Sequence, residues 1–388
     1  MAARRRICVV TGSRAEYGIL YWLLREISAD ATLELQLVAT AMHLAPEFGL
    51  TWRQIEADGF RIDAKVDMLL SSDSATAIAK SIGVGVIGFA DALKQLNPDL
   101  LVLAGDRFEL LSAAQVALVS GIPIAHISGG DVTEGAYDDA IRHSLTKMAQ
   151  LHFVANELCA RRVRQMGENP AHIYNFGAPQ LDHILRTKLL GRTELEKLLG
   201  FRLKKRNLLI TFHPATLERQ LPAQQFAELL AALQLLGDDF GLIFTLPNAD
   251  NEGRALIRMI HEFVASAARG RAVAHASLGQ TAYLSALTQV DAIVGNSSSA
   301  LVEAPSLHKP AVNIGERQKG RPRAVSVVDC PPERGAIGAA ISKALTLDCS
   351  SAVNPYYGGD SSSRIAKVLR SVRLDDLRQK HFFLLGDT

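Results

Sequence analysis

The residues best suited to chemistry follow short apolar runs. Ile124–Ile127 leads into Ser128-Gly129-Gly130-Asp131, and the same loop carries Glu134, Asp138 and Asp139 before Arg142-His143 opens a helical pattern. Two glycines leaving a strand, four acids close together and an Arg–His pair suit proton transfer in a pocket. Loop acids are also commonly solvated, and Asp138 or Asp139 at a helix start can serve as a cap. Leu101–Ala104 runs into Gly105-Asp106-Arg107, which sets another acid at a strand end. Capping is its plain alternative, and the neighbouring acid loop favours the functional one. Metal ligation is the rival use of these acids. It ranks lower because no His-rich set accompanies them, so neither metal nor cofactor is expected.

A second group of residues suits an anion. Ile7–Val10 runs into Thr11-Gly12-Ser13-Arg14 and then a helix, so free N–H groups and a forked cation are available to phosphate. An ordinary first turn with a solvated Arg14 reads equally well. In the second half, His213 and Asn248 stand at strand ends, where a lone polar residue is as readily structural. Ile293-Val294 ends in Gly295-Asn296-Ser297-Ser298-Ser299, and Glu303 lies about one turn further on. Backbone N–H groups and hydroxyls there form a diphosphate cradle, with Glu303 placed to accept from ribose hydroxyls; serine capping alone is the bland reading. Arg317, Gln318, Lys319 and Arg321 form a basic loop bounded by glycines. The arginines at 161, 162 and 164 read as a solvated face.

These positions need a scaffold that presents strand ends. The apolar runs Ile7–Val10, Leu35–Ala39, Leu100–Leu103, Ile122–Ile127 and Leu151–Val154 alternate with helical patterns at Tyr17–Ile27, Ser74–Leu96 and Arg107–Val119. Alternation of this kind predicts βα units and a parallel sheet. The pattern restarts with runs at Leu208–Phe212, Gly241–Leu246, Ala272–Ala276, Ala292–Val294 and Ala311–Ile314. Helical stretches at Pro222–Leu236, Glu252–Ala268 and Gly279–Leu287 separate them. The predicted fold is α/β, with two Rossmann-like doubly wound domains facing a central cleft. Residues 1–186 form the first domain and 187–365 the second, joined through the Lys- and Arg-rich stretch from Lys188 to Arg206. Ligands of such sheets bind beyond the carboxyl ends of the strands.

Composition narrows the function classes. The chain has 388 residues, 48% of them hydrophobic, which suits two folded domains rather than disorder. A net charge of +2 gives no sign of a nucleic-acid or membrane-surface partner, so any anion is met locally. Cys8, Cys159, Cys330 and Cys349 have no metal-type spacing and read as free thiols of a reducing cytosol. Arg4 to Arg6 resemble the start of a signal peptide, but the apolar run after them is too short. No stretch is read as long enough to span a bilayer.

Taken together, the motifs resemble the hydrolysing UDP-N-acetylglucosamine 2-epimerases of sialic-acid synthesis. The match comprises Gly-Ser-Arg-Ala-Glu-Tyr-Gly at 12–18, Met42-His43, Gly-Asp-Arg at 105–107, Gly-Gly-Asp at 129–131 and Asp138-Asp139 with Arg142-His143. His213-Pro214, Gly-Asn-Ser-Ser-Ser at 295–299, and Arg317-Gln318 with Gly320-Arg321 complete it. The resemblance implies a GT-B-type fold, a cytoplasmic homodimer or homotetramer, and a final helix near Ser362–Val372 whose segment, about 366–388, packs back on the first domain.

By the same resemblance Asp106 and Asp138 match proton-transferring acids. Arg14, His43, His213, Asn248, Ser297, Ser298, Glu303 and Arg321 match nucleotide-sugar contacts. Arg107, Ser128, Arg142, His143, Gly295, Asn296, Arg317 and Gln318 are taken with them as substrate-side residues, and His213 also as an aid to the departing UDP. Part of the family carries Glu at the Ser128 position, within His-Ile-Glu-Gly-Gly. Here Asp131 and Glu134 are the candidates to complete the acid–base set. The implied reaction releases UDP and N-acetylmannosamine by elimination and then hydration. A sister group acts on UDP-N,N'-diacetylbacillosamine in legionaminic-acid synthesis, and a GT-B glycosyltransferase, a non-hydrolysing epimerase and a non-catalytic sensor are the further alternatives.

Overall fold

The computed structural model describes residues 4–384 apart from 73, 134–135, 215–220, 248–252 and 267. Its strands are β1 (Arg5–Thr11), β2 (Leu33–Thr40), β3 (Ala64–Val66), β4 (Leu100–Ala104), β5 (Ile124–Ile127), β6 (Leu151–Val154), β7 (Ile173–Asn175), β8 (Arg206–Thr211), β9 (Phe240–Thr245), β10 (Ala272–His275), β11 (Ala292–Gly295), β12 (Ala311–Ile314) and β13 (Val327–Cys330). They form a seven-stranded sheet in the order β3-β2-β1-β4-β5-β6-β7 and a six-stranded sheet in the order β10-β9-β8-β11-β12-β13. Neighbours in each sheet are parallel. Both orders reverse beside the first strand of the sheet, between β1 and β4 and between β8 and β11. Such a reversal opens a crevice at the strand ends.

The chain divides into two compact units. The first runs to Asp131 and adds Asp138–Asp182 and the chain from Tyr356 onward; the second comprises Val132–Tyr137 and His183–Pro355. The first sheet buries both faces, as its continuous apolar strands require. Ile7, Val9, Leu100 and Val102 pack on one side with the helix Arg14–Ala29. Cys8, Val10, Leu101 and Leu103 pack on the other with the helices Ala75–Leu96 and Phe108–Val119. This is the two-residue alternation of a pleated strand. In the second unit Leu208, Ile210, Leu242, Phe244, Val294 and Val312 build the equivalent core.

Several sequence expectations need correction. β3, β7 and β13 were not among the predicted runs. They stand at the sheet margins, and Lys65, Asn175 and Asp329 interrupt them, so none gives a continuous apolar run. β5 begins at Ile124 rather than Ile122. The stretch read as a plain connection contains the helix Arg192–Leu199, anchored by buried Leu195 and Leu199. Among the described residues, one helix, Ala75–Leu96, is long and apolar enough to cross a bilayer by length and composition. Its apolarity has a local reason. A Cβ at Gly85 would lie 2.7 Å from Met68 Cε and from Ser112 Oγ, and one at Gly88 would lie 2.8 Å from Val66 Cγ1. The helix is therefore built to approach the sheet and its neighbour closely.

The segment after Tyr356 completes the first unit. Ser361 and Ser362 donate their N–H groups to the two carboxylate oxygens of Asp182, at 2.9 and 2.6 Å, which caps the helix Ser361–Ser371. That helix packs on Arg14–Ala29. Further on, Lys380 donates to the carbonyls of Lys147 and Ala149, both at 2.6 Å, at the carboxyl end of the helix Asp138–Met148. It also pairs with buried Glu168, as do Lys147 and His152. Three donors outweigh burial and hold the Glu168 carboxyl down at about 2.

Candidate functional site

In the first unit the acids gather at the ends of β4 and β5. Asp106 follows β4, Asp131 follows β5, and Arg142 reaches both from the helix Asp138–Met148. Arg142 Nη2 donates to Asp106 Oδ2, and Arg142 Nη1 lies 3.8 Å from Asp131 Oδ2. Arg142 is only 4% exposed. Burial alone would drag its guanidinium pKa down, but Asp106 and Asp131 more than offset that and the net shift is upward. Arg142 was expected on the substrate side; it instead sets two carboxylates side by side. Asp138 is the first residue of the same helix and half-buried. Asp139 pairs with His143, Oδ2 to Nε2 at 3.4 Å, so His143 is engaged on its own helix.

The glycines after β5 are steric requirements. A Cβ at Gly130 would lie 2.4 Å from the Cys159 carbonyl oxygen, and one at Gly129 would lie 2.9 Å from Thr146 Oγ1. Ser128 adopts φ +66°, a left-handed conformation unfavourable for a residue with a Cβ. It is half-buried, and its N–H donates to the Phe153 carbonyl. Arg162 is also half-buried and donates to the Gly130 carbonyl at 3.3 Å. It therefore supports this turn and is not part of a solvated face.

The turn after β1 differs in detail from its sequence reading. Arg14 is exposed at the first position of its helix. The Gly12 N–H is already taken by Glu16 Oε2 at 2.9 Å. His43 is fully buried, with Nε2 3.0 Å from Thr11 Oγ1 and Nδ1 2.7 Å from Thr51 Oγ1. Burial pushes its pKa down to about 4, so the ring is neutral at pH 7 and braces the turn through both nitrogens. Arg107 Nε donates to Glu109 Oε1 at 2.7 Å.

His126, Glu16 and Glu109 were not singled out from sequence. His126 lies inside β5, Nε2 2.8 Å from the Gly105 carbonyl and Nδ1 3.1 Å from Thr146 Oγ1. Burial lowers its pKa to about 3. The neutral ring therefore donates from Nε2 to Gly105, fixing the peptide ahead of Asp106. A histidine in the middle of the apolar run Ile124–Ile127 was the available signal.

In the second unit Gly295 has φ +145°, and a Cβ there would lie 1.9 Å from the Thr211 carbonyl oxygen. Asn296, 1% exposed, brackets the backbone of His213: its Oδ1 accepts from the His213 N–H at 2.7 Å and its Nδ2 donates to the His213 carbonyl at 2.8 Å. Buried Gln318 and half-buried Arg317 both donate to the Asn296 carbonyl, at 2.8 and 3.0 Å. Arg321 donates to Gln318 Oε1, to the Val132 carbonyl and to Thr133 Oγ1. Asn296, Gln318 and Arg321, expected as ligand contacts, are hydrogen-bonded within the protein, and Asn296 and Gln318 help to hold the strand end.

Ser297 and Ser298 are half-buried at the start of a helix of a single turn, Ser299–Val302. So short a helix supplies little dipole, and the serine hydroxyls and loop N–H groups are the polar groups on offer. Ser297 Oγ accepts from the Ser299 N–H at 3.3 Å. Glu303 is half-buried, and its Oε2 is shielded with no hydrogen-bond partner. Burial pushes this carboxyl up to about 7. Glu134 and Asn248 lie outside the described residues.

Known proteins share this architecture and much of this sequence. The chain is 40% identical over 327 residues to the GDP/UDP-N,N'-diacetylbacillosamine 2-epimerase (hydrolyzing) of Campylobacter jejuni, covering 84% of each chain. It is 36% identical to the polysialic acid biosynthesis protein P7 of Escherichia coli, covering 94% of each. The structure of the Methanocaldococcus jannaschii UDP-GlcNAc 2-epimerase, in complex with UDP-GlcNAc and UDP, superposes with a TM-score of 0.78 at 15% identity. That match covers 94% of this chain and 99% of the other and supports the GT-B-type fold. The family model described as UDP-N-acetylglucosamine 2-epimerase matches residues 25–370, and the chain belongs to that family.

Proposed function

We propose that the protein is a hydrolysing 2-epimerase of UDP-N,N'-diacetylbacillosamine, releasing UDP and the free sugar inverted at C2. The sugar is supported by the 40% identity to the Campylobacter jejuni GDP/UDP-N,N'-diacetylbacillosamine 2-epimerase, and UDP by the 32% identity to the Legionella pneumophila UDP-N,N'-diacetylbacillosamine 2-epimerase. The chemistry is supported by the carboxylates of Asp106 and Asp131 set together on one buried guanidinium. UDP-N-acetylglucosamine is the second reading, favoured by the 30% identity to the UDP-N-acetylglucosamine 2-epimerase of Neisseria meningitidis.

A sugar C2–H is not acidic until the C1–O bond to the diphosphate loosens and cationic character develops at C1. That bond breaks with its electron pair leaving on UDP. A carboxylate among Asp106, Asp131 and Asp138 takes the C2 proton, and a C1=C2 glycal forms. Water then adds its oxygen to C1 and gives up one proton to a carboxylate, while an acid returns a proton to C2 from the opposite face. Inversion therefore needs two proton-transfer groups on different faces, which one base cannot supply. In the second unit, His213 and the polar groups at Ser297 and Ser298 suit the charge developing on UDP.

Incubation with each nucleotide sugar in heavy water tests this reading. One deuterium at C2 of the free sugar is expected. Oxygen-18 from water is expected at C1 in early mass spectra, and the synthetic glycal should be hydrated to the same product. A product that keeps its original C2 hydrogen overturns the mechanism. Greater kcat/KM on UDP-N-acetylglucosamine overturns the substrate in favour of the second reading.

A further inference from the structure

Beneath the turn after β1 lie two carboxylates that the proposed reaction does not use. Glu16, in the first turn of the helix Arg14–Ala29, is 3% exposed; Glu109, in the first turn of Phe108–Val119, is 0% exposed. They converge on Gly12. Its N–H donates to Glu16 Oε2 at 2.9 Å, and a Cβ on it would lie 2.4 Å from Glu109 Oε1. Each carboxylate has one shielded oxygen without a partner, Oε1 of Glu16 and Oε2 of Glu109. Among the described residues, one cation is bonded to the pair: Arg107, through Glu109 Oε1 at 2.7 Å. Two buried anions against one guanidinium leave an uncompensated charge, a costly arrangement that a bound proton removes.

We propose that Glu16 and Glu109 share one proton and act as a positioning pair, locking the Gly12–Arg14 turn against the Gly105–Arg107 turn. The proposal rests on the reading of these two turns as the anion-binding and acid-bearing parts of a 2-epimerase site. One carboxyl, written as Glu16, accepts the Gly12 N–H and carries the proton. The other, Glu109, accepts from Arg107 Nε. Burial pushes Glu16 up to about 8; Glu109 adds to this, Arg107 and the Gly12 N–H oppose it, and Asp106 adds a little more. Above that pH the proton leaves, two anions face each other on either side of Gly12, and the turns separate. The turn that carries Arg14 is thus coupled to the turn that carries Asp106 by a group that touches neither substrate nor reacting atom.

The test combines a titration with a rate. Carboxyl carbon-13 resonances of glutamate-labelled protein are expected to include one that titrates near pH 8 in the parent. It should vanish in Glu16→Gln, and in Glu109→Gln it should move clearly below 8, where the charge of Glu109 is gone and Arg107 is released toward Glu16. Between pH 7 and 9 the parent's kcat/KM should fall about tenfold, as one ionisation near 8 requires. In either variant that ratio should approach one. No alkaline carboxyl in the parent, or its persistence in whichever variant folds, overturns the proposal. Absence of turnover on any nucleotide sugar would strike the functional reading instead, and the resonance titration would still decide whether the proton is shared.

Discussion

Asn296→Ala separates a scaffold role from a ligand contact. The side chain makes two hydrogen bonds, both to the backbone of His213, at 2.7 and 2.8 Å. Each is worth about 0.5–1.5 kcal/mol, and leaving shielded backbone partners unsatisfied adds to that, so the loss is about 2–4 kcal/mol. Chemical denaturation followed by fluorescence or circular dichroism reads it as a lower unfolding midpoint. UDP affinity by calorimetry should fall in parallel, because the His213 strand end is no longer held. Asn296→Asp sharpens the experiment. It keeps an acceptor for the His213 N–H but sets a carboxylate oxygen against the His213 carbonyl, and should destabilise at least as much as alanine. If Asn296→Ala keeps the parent's unfolding midpoint while losing UDP binding, the residue contacts the nucleotide itself and the bracket argument fails.

Asp106→Asn and Asp138→Asn should each lower kcat by about 10²–10⁴-fold with little change in UDP affinity; a near-parent rate would remove that acid from the proton path. Glu303, pushed up to about 7 by burial, should bind ribose hydroxyls better when ionised. The UDP affinity of the parent should therefore gain up to about tenfold between pH 6 and 8 relative to Glu303→Gln, and parallel calorimetric profiles would exclude the contact. Burial holds the folded His126 ring down at about 3, against about 6.5 for a histidine in the unfolded chain. Between those values the unfolded chain binds the extra proton, so stability rises with pH. Urea unfolding at pH 4.5 to 6.5 should show a slope shallower by up to about 1.4 kcal/mol per pH unit in His126→Asn. An unchanged slope would mean the ring is already charged in the native protein.

The legible part of the fold was its period. Apolar runs of three to six residues between helical patterns located β1, β2, β4, β5 and β6 and their second-unit counterparts, because strands buried on both faces must be apolar throughout. β3, β7 and β13 left no such trace. In the site, sequence marked the right loops but not the direction in which side chains are spent. Arg142, Asn296 and Gln318 look like ligand-facing polar residues, yet each is consumed by a neighbour that long-range packing alone brings near. Glu109 was likewise hidden: in sequence it is an ordinary first-turn acid, and only the absent Cβ of Gly12 reveals what it packs against.

The capping of Ser361 and Ser362 by Asp182 has a consequence for synthesis at the ribosome. Arg5 Nη1 donates to the carbonyl of Leu369, a closure spanning 364 positions. Most of the second unit, by contrast, comes from one uninterrupted stretch, His183–Pro355. The second sheet therefore has nearly all its partners as soon as that stretch emerges. The first sheet, although translated earlier, waits with the apolar side of the helix Arg14–Ala29 uncovered until the last helix is released. Non-local closure of this kind slows folding and prolongs the exposure of sticky surface. A ribosome-bound chain that has emerged as far as Pro355 should resist protease in its later half while its earlier half is still digested.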